Sequence, residues 1–276
     1  MSFYTSLSGL KASQTDLSTI SNNVSNAGSV GFKRSRAVFG DLFAAAPTQS
    51  TKTVAGQGVR LNGITQQFSQ GTLESTGKTL DVAIAGEGFF VVRGQPPRSD
   101  VSFTRNGVFG INANREVIDT LGSKVQLLPV DANGNVTSTA IGSMFDFEVP
   151  EFDPADPTAV LANVSIAKSG LVTATFANGN TLNLGSMAMS SFTNAEGLRP
   201  IGDAHWQATG DSGDPQINAA GQGPMGEVRS GVLERANIDL TEELVSLIGA
   251  QRNFQANAQA IETANTLTQT IINLQI

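Results

Sequence analysis

The chain has 276 residues, enough for one large or two ordinary domains with a real core. Seventeen Lys and Arg against 24 Asp and Glu leave a net charge of −7, which removes the basic field that binding to nucleic acid or an anionic membrane needs. There is no Cys, so disulfides, thiolate nucleophiles and cysteine-ligated metals are excluded, and the single His205 excludes a multi-histidine metal site.

Charged residues make up 15% of the chain, against roughly 25% for an average soluble domain. Ser, Thr, Asn, Gln and 29 Gly must therefore supply the surface, a composition suited to turns, strands and subunit contacts. Residues Met1 to Leu7 lack a basic segment and a continuous apolar run, so no cleavable signal peptide is expected. No stretch approaches the ~20 apolar residues of a membrane span.

In chain order, Phe3, Leu7, Leu10, Leu17 and Val24, completed by Gln14 and Ser21, give a 4-3-4-3 heptad rhythm and predict an amphipathic helix over residues 1–30. Turn residues between Asn22 and Gly31 end it. Residues 31–79 read as a connector with extended segments. From residue 80 the pattern is β. Gly86-Glu87-Gly88 reads as a hairpin turn, with further hairpin signals at Asn106-Gly107, Asn133-Gly134 and Asn178-Gly179. The central β domain is expected over 80–219, with an acidic, Pro-interrupted loop at 150–157 that divides it into two lobes and a return connector over 220–237. A second helix is predicted over 238–276. Its heptad runs through Leu240, Leu244, Leu247, Gln251, Phe254, Ala258, Ile261, Asn265, Thr268 and Ile272, and Asp239 with Glu242 forms a capping box. The fold class is α+β: N- and C-terminal helices paired as a coiled coil, with an all-β domain inserted between them. The outer positions of both helices are Ser, Thr, Asn, Gln and Ala where a solvated coiled coil carries Lys and Glu. This predicts contact on more than one side, with a plain helical hairpin as the competing reading.

Little chemistry remains to be assigned. His205 beside Trp206 is read as structural. Gly86-Glu87-Gly88 lacks the third glycine and the later acid of a dinucleotide site. Asp153, Asp156 and Glu151 lack calcium-loop spacing and read as a solvated acidic loop. Neither a catalytic residue, a cofactor nor a bound metal is expected.

Four separated motifs carry a resemblance. Ser8-Gly9-Leu10 with Ile20-Ser21-Asn22-Asn23-Val24-Ser25-Asn26 and Gly31-Phe32-Lys33, then Leu80 to Phe90, Phe103-Thr104-Arg105-Asn106-Gly107, and Gly231 to Leu240 resemble the bacterial flagellar rod and hook axial proteins, in the same order and from end to end. The run Glu243 to Gln259 and the closing Ile271-Ile272-Asn273-Leu274 look like the hook type, whereas the short 131–165 segment, with little room for an inserted outer domain, matches the distal rod. Asn265 also departs from an Asp common in the family. The resemblance implies a subunit that self-assembles into a flexible helical tube transmitting torque from rod to filament, with a distal rod subunit as the alternative and a secreted, non-flagellar binding protein as the remaining one. Implied partners are copies of itself, the rod, the hook cap, the hook–filament junction proteins and the export apparatus, outside the cytoplasm after export. The terminal stripes would drive assembly. Phe39, Leu42 and Phe43 resemble the short aromatic motif that engages the export gate, and Gly28, Gly31, Gly221 and Gly226 are expected hinge positions.

Overall fold

The chain divides into two units: residues 1–27, 34–67 and 238–276 make the first, and residues 28–33 and 68–237 the second. A computed structural model describes residues 2–43, 56–95 and 100–274.

In the first unit, helix α1 (Ser2–Ser25) and helix α2 (Leu240–Leu274) accompany a two-stranded antiparallel ribbon, β1 (Ser35–Phe43) and β2 (Gly56–Gln66). The hydroxyl-rich helices satisfy their own side chains. Ser13, Thr15, Thr19 and Ser25 each donate to the carbonyl four residues back, and Thr263, Thr266, Thr268 and Thr270 repeat this on α2. Asp239 caps α2 as expected, its Oδ1 accepting from the N–H of Thr241 (2.8 Å) and Glu242 (3.3 Å). The Glu242 carboxylate, expected to close a capping box, instead accepts from Arg34 Nη2 at 3.1 Å. The ribbon occupies much of the expected connector. Period-2 alternation makes it: Ala37 is buried and Phe39 half-buried, while Arg36 and Val38 face outward. Residues 44–55 of that connector lie outside the described residues.

The second unit is built from short strands: β3 (Leu73–Ser75), β4 (Val82–Ala85), β5 (Phe89–Arg93), β6 (Val101–Thr104), β7 (Gly110–Ile111), β8 (Val117–Ile118), β9 (Lys124–Leu128), β10 (Phe145–Asp146), β11 (Phe152–Asp153), β12 (Asp156–Ile166), β13 (Leu171–Phe176), β14 (Thr181–Met187), β15 (Met189–Ser191), β16 (Arg199–Gly202), β17 (His205–Gln207), β18 (Gln216–Asn218), β19 (Glu227–Ser230) and β20 (Val232–Glu234). The main sheet runs β11-β12-β13-β14-β9-β5-β6-β17-β16, while β19 pairs with β4 and β20 with β3. Strand β5 is buried on both faces: Phe90 and Val92 join a core with Val125, Leu127, Val172 and Met187, while Phe89 and Val91 join one with Phe103, Leu128 and Trp206. That explains the unbroken apolar run Phe89 to Val92, since a strand covered on both sides has no polar face.

Three turn expectations are corrected. Gly86-Glu87-Gly88 joins β4 to β5, which belong to different sheets, so it is a crossing rather than a hairpin; Gly226 N–H donates to Glu87 O at 2.8 Å there. Asn106-Gly107 is likewise no hairpin, because β6 pairs with β5 and β17, not β7; a Cβ on Gly107 would fall 1.6 Å from Val82 O, so glycine serves a close backbone approach. Residues 150–157 form the β11–β12 hairpin within a continuous sheet rather than a loop between lobes, and Asp153 is buried there, accepting from Asn178 and Asn180. Those bonds hold its carboxyl below the usual carboxylate range. Asn178-Gly179 does turn β13 into β14, and Asn133-Gly134 turns the chain between the bridged residues Val130 and Val136.

Candidate assembly surface

The surface starts from the antiparallel contact of α1 with α2. Asn23 Nδ2 donates to Glu243 Oε2 at 3.2 Å, and Asn257 comes so close to Gly9 that a Cβ there would stand 2.6 Å from its Oδ1. Both pairs of residue numbers sum to 266, so the register is constant along the pair. Asn23 also clasps the ribbon, donating to Ser35 O (2.8 Å) and accepting from Ser35 N–H (2.9 Å). Arg34 Nε lies 2.5 Å from Glu243 Oε1. A polar cavity of about 440 Å³ opens beside this knot, lined in part by Asp16, Arg34, Arg36 and Glu242. Burial there pushes the Asp16 carboxyl up, with Arg36 opposing.

The register leaves α2 longer than its partner. α1 has 24 residues and α2 has 35, so the counterpart of Ser2 is residue 264 and residues 265–274 extend past it. Leu267 and Ile271 are each 60% exposed, with Ile272 close behind. A second uncovered set lies at the other end of α2: Leu244, Val245 and Ile248, roughly 100–200° round the helix from Glu243.

The stripe read from the sequence is therefore only partly the intramolecular one. Buried and half-buried positions on α2 are 243, 246, 247, 250, 254, 257, 258, 261 and 264. Leu247, Phe254, Ala258 and Ile261 belong to both stripes, whereas Leu240, Leu244 and Ile272 are exposed. On α1 the fully buried positions are Thr19, Ile20 and Asn23; Leu7, Leu10, Leu17 and Val24 are half-buried, and Phe3, Gln14 and Ser21 are exposed. One helix neighbour cannot cover a stripe this broad, so among the described residues the apolar positions exceed those that are buried.

Of the expected export residues, Phe39 is half-buried against the cavity, Leu42 is exposed, and Phe43 ends β1 opposite Gly56, its side chain outside the described residues. Among the expected hinges, Gly28 and Gly221 have open space where a Cβ would stand. Gly31 abuts the Arg105–Asn106 backbone and Gly226 the Ala85 carbonyl, at 2.6 and 2.4 Å, which gives these two a packing reason for glycine.

A feature missed in the sequence lies in the second unit. Lys33 Nζ meets Glu234 Oε1 at 2.8 Å and Arg105 Nη1 meets Glu234 Oε2 at 3.2 Å, all three side chains at least 97% buried. Lys33 also donates to Ser69 O, and Gly71 N–H to Glu234 Oε1. Desolvation lowers the Lys33 and Arg105 pKa values, with Glu234 opposing both. Each residue belongs to a different quoted motif, so three of the four motifs converge on one buried ionic knot. Among the described residues, no group of three or more His, Cys, Asp or Glu side chains is placed to hold a metal.

Residues 3–33 match the family described as flagella basal body rod protein, 83–174 the flagellar hook protein FlgE/F/G D1 domain, and 229–274 the flagellar basal body rod FlgEFG protein C-terminal. The chain is 32% identical to the flagellar basal-body rod protein FlgG of Buchnera aphidicola subsp. Baizongia pistaciae, over 95% of this chain and 94% of that one. It is 31% identical to FlgG of Bacillus subtilis, covering 99% and 98%, and 26% identical to the flagellar hook protein FlgE of Escherichia coli, covering all of both chains in an alignment of 411 residues.

Proposed function

This chain belongs to the flagellar rod and hook family of axial structural proteins, and we propose that within it the chain is a hook subunit, polymerising into a flexible tube that carries torque from rod to filament. The family is structural rather than enzymatic, and its place is the bacterial flagellum.

The observation that carries self-assembly is the uncovered surface of α2: apolar residues at both ends, few charges, and hydroxyls already bonded to their own backbone. Covering such a face removes apolar area from water without stranding those threonine hydroxyls. On this reading α1 and α2 form the coiled-coil inner tube, with 1–30 and 238–276 as tube segments, 80–219 as the central β domain, and Gly28 and Gly221 as points of flexure. A head-to-tail contact of this kind propagates instead of closing. Sedimentation under polymer-promoting salt tests it: the full chain should pellet, and a chain lacking its first 30 and last 38 residues should not. Pelleting of both would end the reading.

The hook is chosen for the run Glu243 to Gln259 and its weak charge, which lets neighbours slide. A distal rod subunit is the second reading, favoured by length. FlgG relatives align over 274 to 287 residues, whereas the FlgE relatives need 411 to 414. Electron microscopy of a curved native segment discriminates: subunit spacings differing by several ångströms between inner and outer sides mark the hook, and one fixed spacing marks the rod. The rod, hook cap, junction proteins and export apparatus are the proposed partners, the last through Phe39, Leu42 and Phe43.

A further inference from the structure

Leu247, Phe254 and Ile261 stand seven residues apart on α2, and the constant register sets them across from Thr19, Ala12 and Thr5 of α1. A slip of one heptad in either direction again brings an apolar residue across from Ala12 and from Thr19: Leu247 or Ile261 for the first, Leu240 or Phe254 for the second. The apolar stripe therefore holds the helices together without choosing between registers. Two polar contacts do not repeat. Gly9 is the one glycine of α1, and the Asn257 amide lies in the recess it leaves, its Nδ2 donating to Asn253 O at 2.9 Å. Glu243 is 1% exposed, and its carboxylate finds Asn23, which is buried to the same degree, and Arg34.

We propose that Gly9 with Asn257, and Asn23 with Glu243, are the pins that select this register and so fix how much of α2 stays uncovered. Slipped one way, Glu243 comes opposite Asp16 and Asn257 opposite Ser2; slipped the other, Glu243 passes the end of α1 at Ser25 and Asn257 comes opposite Asp16. Either slip parts the buried carboxylate from Asn23 and turns the recess at Gly9 toward Ala250 or Ala264, whose side chains are too short to fill it. A buried polar contact that only one alignment satisfies gives up some stability for a single register. The uncovered length follows from it. The observed register leaves residues 265–274 beyond α1, and the two slips would leave 258–274 or 272–274. That this length matters to a second copy rests on the self-assembly proposed above; the register itself does not.

The chain has no Cys, so Lys11→Cys and Gln255→Cys, at exposed positions that the register sets opposite one another, carry the only nitroxide labels. In the soluble full chain, electron spin resonance should give one narrow distance between them. Gly9→Leu with Glu243→Leu removes both pins and leaves the stripe. Helix ellipticity should be retained in that variant while a second, longer distance appears, from a shift of about 10 Å along the axis. A single unchanged distance in the variant, or a broad spread with both pins intact, overturns the proposal. If the variant loses its ellipticity, the milder Gly9→Ala with Glu243→Gln decides by the same reading: a second distance supports the pins, and one distance refutes them. Because the labels are read in the soluble chain, a failure to pellet counts against the assembly reading alone and leaves the register standing.

Discussion

Strand β5 and helix α2 are both rich in apolar side chains, and their fates differ. All four residues Phe89 to Val92 vanish into two core clusters, one on each face, whereas α2 has Leu244, Val245, Ile248, Leu267 and Ile271 in water. The second unit closes on itself and even buries an ionic knot of three charges. The first gives its longest element one helix to lean on. Stability therefore resides where burial is complete, and the proposed capacity to assemble resides where it is not.

Removing the counter-ion of the knot should give the largest effect. Glu234→Ala strands Lys33 and Arg105 as buried cations, and should lower the stability of the β unit by about 3–5 kcal/mol, read by denaturant unfolding through Trp206. An unchanged midpoint would mean that the knot is not what holds the unit. The converse change, Leu247→Ser with Phe254→Ser, should abolish pelleting while the Trp206 transition stays put; normal polymers would break the division of labour. Phe39→Ala with Phe43→Ala should hold the protein inside cells while the purified variant still polymerises, and undiminished secretion would remove the export role. Asp239→Ala removes two bonds to the first turn of α2 and should cost about 1 kcal/mol, seen as faster amide exchange at Thr241 and Glu242 with the β unit unmoved.

The smallest effect is at Asp16. Burial raises its folded pKa, so the folded state binds the proton more readily than the unfolded one, and stability falls as pH rises through the acidic range. Asp16→Asn should flatten that slope in acid titrations monitored by helix ellipticity; an unaltered slope would assign it to another group.

The helices and the Asp239 cap were legible because they are local: heptad spacing and a capping side chain are properties of neighbouring residues. The stripe was legible as apolar but not as to which part of it the chain itself covers, since Leu244 and Leu247 look alike until the register of Asn23 with Glu243 is known. Asn-Gly pairs signal a reversal correctly at Asn178 and falsely at Asn106, where glycine admits the Val82 carbonyl instead. The knot was invisible for a related reason. Lys33 and Arg105 lie 201 and 129 residues from Glu234, and each alone reads as an ordinary surface charge.

Asn23 and Glu243, the residues that join the two helices, are separated by 220 positions. The first unit is thus made of early and late pieces, with most of the second unit translated in between. A chain emerging from the ribosome exposes α1 long before α2 exists, and closing so long a loop awaits the compact body formed meanwhile. On the proposed reading, the surface that would gather other copies comes into being only after the β unit is complete, so the order of synthesis itself would delay association.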